Sequence, residues 1–328
     1  MNQPSSVEDP QHQDDVQQAA GLLVGGLFLL GLQDGLIKIT SSEISLWQMQ
    51  VVRGCMNGLL LFAVVRLVHG SGIPPPKRWG AVLLRALFLL GAMTLFFGGL
   101  PFLPLSDIAA GLYVFPLFVA ILSAVVLKER VGPRRVIAIL LGFVGSLLIL
   151  KPGSASFQWV ALMPVGAGLC YAAMILTTRK LCRYEHPYTL SMTVTLVFVT
   201  AGCLGLILAP WLSPDFLVVQ WPFLFTGWRT LEAWVFGLLA FCSVLNLTAN
   251  VGLARAYQTA DSSWLAPFDY SYLVFATFWG FMIFGHRPDL ASIAGMVLIA
   301  ASGSFVAWRE RQLARSDADR REARQGGE

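Results

Sequence analysis

Charge is what this chain has least of. Only 13% of its 328 residues are Asp, Glu, Lys or Arg, against 56% hydrophobic, and the mean hydropathy is +0.66. A water-soluble fold of this size needs far more polar surface, because much of any fold faces solvent. Histidine is scarce too: His12, His69, His186 and His286 fall in a tail or in loops. No acidic cluster suits a divalent ion and no nucleophile stands beside a base, which argues against a membrane-embedded enzyme. A Gly-Lys phosphate-binding motif is missing, so nothing points to ATP use. The five cysteines (Cys55, Cys170, Cys182, Cys203 and Cys242) stand singly, mostly mid-helix. They offer neither a disulfide framework nor a metal site and read as small apolar packing residues. No cofactor or metal is expected. Residues 1–18 contain acids but no Lys or Arg, so they read as a polar tail and not as a cleaved signal.

What the chain has is long apolar runs from end to end. Crossing the hydrocarbon takes ~20 apolar residues per helix, and ten stretches qualify: 19–38, 46–68, 80–100, 106–127, 134–150, 157–178, 188–210, 232–252, 262–284 and 289–307. The expected class is an all-α integral membrane protein of ten transmembrane helices, with no room for a soluble domain. Membrane β-strands would be short and alternating, and these runs are neither. The tail after Trp308 is Arg-rich, but its interspersed acids read as a solvated cytoplasmic segment and not as a nucleic-acid site.

Loop charge sets orientation. With the N-terminus in the cytosol, seventeen of the 23 Lys and Arg fall on inside loops and the C-tail. Only Lys151, Arg229 and Arg287 fall outside. Both termini are therefore expected in the cytoplasm, in a bacterial inner membrane. Ten spans divide into two sets of five: a tail at 1–18, a first half at 19–153, a second half at 154–308 and a tail at 309–328. Glu129-Arg130 is followed by Ala138 and Ser146, and His286-Arg287 is followed at the same spacings by Gly295 and Gly303. An odd number of spans per half sets the halves in opposite orientations. Such inverted repeats mark many secondary transporters, whose substrate site lies near the midplane. Small residues at helical spacing also recur from packing need alone.

Of the four charges in "LQDGLIKITSSEISLWQMQVVRG" (32–54), Glu43 falls between spans and Asp34, Lys38 and Arg53 fall within them. Asp34 and Lys38, four apart, share one helix face. Either Lys38 snorkels to the outer interface with Asp34 merely pairing to it, or both serve binding or gating. Arg53 lies about two turns into the second span, too deep to snorkel. Its fork suits a carboxylate, a phosphate or a fixed partner such as Asp34. Gln33, Trp47 and Gln50 are placed to line the same vestibule, with an interfacial anchor the alternative reading of Trp47. In 107–135, Pro116 is expected to kink its helix and free carbonyls toward a cavity, with Tyr113 a turn earlier. Glu129 reads as an interfacial ion pair or a substrate contact. In "WLAPFDYSYLVFATFWGF" (264–281), Pro267 implies a second bend beside Asp269 and Tyr270. Asp269 is either a proton-exchanging acid in an aromatic setting or a capping carboxylate. Asn246 and Asn250, one turn apart, suit either binding or inter-helix hydrogen bonding.

These segments, with "YVFPLFVAILSAVVLKERVGPRRVIAILLGFVGSLLILKPG" (113–153), "CYAAMILTTRKL" (170–181) and "PFDYSYLVFATFWGFMIFGHRPDLASIAGMVLIAASG" (267–303), resemble the EamA family of the drug/metabolite transporter superfamily. The likeness runs through the chain apart from both tails. It is most specific from Pro116 to Glu129 and Arg130, and then in D-x-x-x-K (Asp34, Lys38) and Q-x-x-R (Gln50, Arg53). It implies two inverted five-helix halves around a central cavity, a small-molecule substrate, the lipid bilayer as surroundings and no ATP hydrolysis. The opening pattern is most similar to members importing riboflavin or S-adenosylmethionine, while exporters of amino acids and other metabolites share the fold. His286 stands where the family's second half has glutamate, a departure that separates the two loops.

Overall fold

The structure, a computed structural model, describes residues 10–70, 72–126, 133–151, 158–212, 214–259, 265, 268–305 and 308. The described residues are helical, with no strand among them. In chain order the helices are α1 (Pro10–Thr40), α2 (Leu46–His69), α3 (Trp79–Gly98), α4 (Leu105–Leu112), α5 (Phe115–Val126) and α6 (Pro133–Leu150). They continue as α7 (Leu162–Leu181), α8 (Pro187–Leu212), α9 (Asp215–Gln220), α10 (Pro222–Phe225), α11 (Ala233–Thr259), α12 (Ser271–Phe284) and α13 (Leu290–Phe305). Hydrocarbon offers backbone groups no water, so apolar segments satisfy their N–H and C=O within helices. Among the described residues, seven segments are long and apolar enough to span a membrane, and three shorter apolar helices, Ile139–Leu150, Ser271–Phe284 and Leu290–Phe305, accompany them. Leu59, Leu67, Leu140, Leu204, Trp211 and Val297 are more than half exposed, a surface suited to lipid and not to water.

Three details differ from the sequence expectation. The 106–127 run is two helices, broken at Tyr113–Val114 just before Pro116. The carbonyls of Leu112 and Gly111 at the break do not face an open cavity. They lie against Gly168 of α7, where a Cβ would come within 2.9 and 3.2 Å of them. The 211–231 loop holds α9 and α10, too short for a periodicity signal, and α11 continues to Thr259.

Helices before residue 152 pack chiefly on helices after residue 158. α1 lies on α11 and α12, α2 on α8 and α11, α3 on α7 and α8, and α4 on α7 and α12. α6 and α13 cross in backbone contact. A Cβ on Gly145 would stand 2.8 Å from the Gly295 carbonyl, and one on Gly295 would stand 2.5 Å from the Gly145 carbonyl.

Connecting segments gather at two ends. At one, the Lys38 ammonium donates to the Leu103 carbonyl and stands 5.2 Å over the Phe284 ring. The Gln48 amide donates to Arg229 O at 2.8 Å and accepts from Arg229 N at 3.1 Å. The Arg229 guanidinium donates to Ser42 O, and Trp47 Nε1 to Leu224 O. Lys151 and Asp289 form an ion pair of 2.5 Å there. At the other end, the Glu185 carboxylate accepts from the backbone N–H groups of Lys77 and Arg78, and the Thr189 hydroxyl donates to Pro74 O.

Candidate functional site

The polar residues of α1 and α2 converge in the bundle interior. Gln50 and Arg53, three apart, share a face of α2, whose start is fixed by the Ser45 hydroxyl accepting from Gln48 N at 3.2 Å. Asp34 is 6% exposed, and its carboxylate accepts from Gln33 Nε2 at 3.0 Å and from the Tyr272 hydroxyl of α12 at 2.5 Å. Two donors on one carboxylate offset much of the cost of burying it. The expected pairing of Asp34 with Lys38 does not form, because Lys38 turns to Leu103 and Phe284. Lys38 thus ties the end of α1 to the loop before α4 and to the end of α12.

Arg53 is 8% exposed and makes no hydrogen bond or ion pair among the described residues; its Nε is fully enclosed without a partner. Its guanidinium lies 5.4 Å over the Phe97 ring of α3, a cation–π contact. Asp34 and Arg53 feel each other's charge without an ion pair. Gln50 Nε2 and Gln33 Oε1 are likewise buried without partners. Cys242 of α11 closes the floor, its thiol 3.9 Å from Gln33 O. The group therefore draws on five helices, and three of its polar atoms are left without partners where a packed core would have paired them.

An aromatic wall adjoins it. The rings of Tyr113 and Tyr272 stack at 5.2 Å and 11°, and Tyr113 meets Tyr270 edge-on at 5.7 Å. Tyr113 stands at the helix break that Pro116 sets, so the kink places the stack. The Tyr270 hydroxyl occupies the spot where a Cβ on Gly303 of α13 would stand.

Other candidate residues lie apart. Asp269 is half-buried and both its oxygens take the Tyr257 hydroxyl, at 2.6 and 2.7 Å. Asn250 is exposed and donates to Asn246 O within its own helix, so no inter-helix bond forms from it. Glu129 and Pro267 lie outside the described residues. His286, beyond the end of α12, has its imidazole held below the usual value by burial and then by the Lys38 charge.

Sequence reasoning missed Tyr272, Phe97 and Cys242. Tyr272 lay within a quoted segment, but only the fold shows that it reaches a carboxylate 238 positions away.

The description "EamA-like transporter family" belongs to the family model that matches residues 18–151. The riboflavin transporter of Vibrio cholerae is 30% identical over 242 residues, 74% of this chain and 76% of that protein. The pseudopaline exporter CntI of Pseudomonas aeruginosa is 28% identical over 289 residues, covering 86% of this chain and 94% of that protein. The S-adenosylmethionine uptake transporter of Rickettsia felis is 25% identical over 292 residues, covering 88% and 93%. A solved crystal structure superposes with a TM-score of 0.56 over 89% of this chain and 98% of its own, at 16% identity, a likeness of fold alone.

Proposed function

Because the chain belongs to the EamA-like transporter family, we propose that it is a secondary carrier of a small polar organic metabolite across the bacterial inner membrane, taking up a riboflavin- or S-adenosylmethionine-like solute. The observation that carries this reading is Arg53. A guanidinium in the interior of a membrane bundle costs ~2.5–3.5 kcal/mol on insertion scales, and among the described residues this one has no hydrogen bond or ion pair, only the Phe97 ring and the more distant Asp34 charge, to offset it. A transported solute supplies the missing partner for part of each cycle. Gln50 joins Arg53 in contacting it, Asp34 is the opposing charge, and Tyr113 and Tyr270 belong to the wall.

The carrier works as ten spans in two inverted halves, 19–153 and 154–308. The pattern of helix packing supports this. Exchanging the halves maps α1 on α11 onto α7 on α3, and α1 on α12 onto α7 with α4 and α5. It maps α3 on α8 onto α11 on α2, and returns α2 on α8 to itself. The two ends of the bundle fit alternate loops on opposite membrane faces, with Lys38, Lys151 and Asp289 outside and both termini in the cytoplasm. Lys38 and the Lys151–Asp289 pair then close the outer end, and Asp269 with Tyr257 lies toward the cytoplasmic end. Export is the second reading, supported by the likeness to the pseudopaline exporter. Metabolite profiles of expressing and deleted cells, with medium and cytosol separated, test both. A solute that moves into the cytosol with expression supports uptake and one that moves into the medium supports export. No solute redistributed by expression contradicts the carrier reading.

A further inference from the structure

Away from the central polar group, a groove runs along the outside of the bundle where α3 lies on α8. It encloses about 660 Å³, a ligand-sized volume. One wall is Trp79, Leu83, Leu87 and Leu90, which recur every three or four residues and so form a single stripe of α3. The other is the facing stripe of α8, with Leu196 and Leu204. All of these but Leu90 are more than two-fifths exposed, an apolar surface left open to the bilayer. The lining runs from residue 79 to residue 90 on α3, about 16 Å at 1.5 Å per residue. One leaflet's hydrocarbon is about 15 Å deep, half of the ~30 Å core. The slot therefore matches one acyl chain in depth and falls short of a spanning helix.

Its mouth is built and positively charged. Pro74, Pro75 and Pro76 form a lip at the entry to α3, and proline fixes φ there. Two ties hold the lip to the start of α8 and the turn before it. The Thr189 hydroxyl donates to Pro74 O at 2.6 Å, and the Glu185 oxygens accept from Lys77 N and Arg78 N at 3.0 and 2.7 Å. These bonds engage only the backbone of Lys77 and Arg78. Both side chains are exposed, without a hydrogen bond or ion pair among the described residues. Glu185 is the one acid in 70–80 and 179–190, whereas Arg179, Lys180 and Arg183 add positive charge beside the mouth. Trp79 stands at the lip, 66% exposed, as an indole does at headgroup level. We infer that this groove seats one anionic phospholipid of the bilayer, an acyl chain between α3 and α8 and its phosphodiester on Lys77 and Arg78. A basic mouth over an apolar slot between spanning helices is the recognition such headgroups use. A zwitterionic lipid brings its own ammonium up to the same two cations. A second copy docking through this face would set two positive mouths together, because a two-fold interface repeats the same patch. The lipid bridges a helix from before residue 152 and one from after residue 158, and so clamps the seam between them.

The test titrates the purified full chain, delipidated in neutral detergent, with phosphatidylglycerol or phosphatidylcholine of matched acyl chains. Native mass spectrometry counts the lipid retained. Wild type holds one phosphatidylglycerol about tenfold more tightly than phosphatidylcholine, the worth of two cations at the headgroup. Lys77→Gln combined with Arg78→Gln binds the two lipids alike. Arg179→Gln combined with Lys180→Gln, an equal loss of charge outside the groove lining, keeps the preference. Leu87→Trp fills the slot and weakens both lipids. Equal retention of the two lipids by wild type overturns the inference without recourse to any variant. A preference that the Arg179 and Lys180 pair abolishes as fully as the Lys77 and Arg78 pair overturns it too, since diffuse surface charge would then suffice. A dimeric wild type that Leu87→Trp converts to monomer, with lipid retention unchanged, assigns the groove to a second copy and overturns it as well. The carrier reading stands or falls separately, on whether a solute moves with expression.

Discussion

The crossing of α6 and α13 gives a perturbation whose size can be worked from geometry. A Cβ added at Gly295 meets the Gly145 carbonyl at 2.5 Å and Ile149 Cγ1 at 2.7 Å, well inside the 3.0 Å that real Cβ atoms keep. The nearest obstacle is backbone, so a rotamer change cannot relieve it and one helix must retreat by about half an ångström, a distance that well-packed interiors do not give freely. Overpacking of this kind costs ~1–3 kcal/mol. Alanine regains ~1 kcal/mol of helix propensity over glycine. The net expectation for Gly295→Ala is a loss of about 1 kcal/mol, or ~2–4 °C in melting temperature by the scaling for larger domains. Gly237 of α11 is the control, because a Cβ there meets nothing within 4 Å. Gly237→Ala keeps the propensity gain without the clash and holds or raises the melting temperature. The assay is thermal unfolding of purified variants in one detergent, followed by intrinsic fluorescence. A Gly295→Ala protein that melts at or above wild type refutes the reasoning, since the two helices would then not be in backbone contact.

Three further outcomes follow from side-chain chemistry. Tyr272→Phe strips Asp34 of one of its two donors, a loss of ~1.5–3 kcal/mol for a bond to a charged group, and lowers the melting temperature by several degrees; an unchanged melt would show that Asp34 has another partner. Asp289, in the connecting segment just before α13, is held down to about 2 by hydrogen bonds from Lys151 and then Ser292. Its stabilisation is therefore complete above the unfolded carboxylate value near 3.9 and is lost as pH falls through about 2. Being an exposed pair it is worth under ~1 kcal/mol, so melting of wild type and Asp289→Asn differs slightly but constantly above about pH 5 and converges in acid; a gap that widens in acid contradicts this. Asp269→Asn abolishes accumulation driven by a pH gradient in liposomes but preserves exchange with preloaded substrate, since exchange needs no net proton movement. A retained pH response places the proton site elsewhere.

How far the sequence carried this account depended on the kind of feature. The apolar runs were legible because lipid forces each spanning segment to be long and uniformly apolar. Pro116 announced the break at Tyr113–Val114 because it can donate no backbone bond. The partner of Lys38 was not legible, since a backbone carbonyl leaves no mark on residue type. Asp34 was legible as a buried charge, but its donor Tyr272 lies on a helix that only the packing of α12 on α1 brings near. Asp269 and Tyr270 are neighbours in the chain yet diverge in space. One accepts from Tyr257 and the other packs against Gly303, a separation that linear spacing cannot encode. Arg53 stood out for its depth in an apolar run, while its lack of a hydrogen-bond partner among the described residues is a property of the fold.

The central claim is that Arg53 waits for a solute. Once a transported metabolite has been identified, its uptake is measured in liposomes carrying equal amounts of folded wild-type chain and Arg53→Gln. The account predicts that Arg53→Gln, correctly folded and inserted, loses most of the flux, with apparent affinity down about tenfold or more from the lost charge-assisted bonds. Wild-type uptake by Arg53→Gln at matched protein would contradict the account, for the guanidinium would then be buried without contacting what is carried.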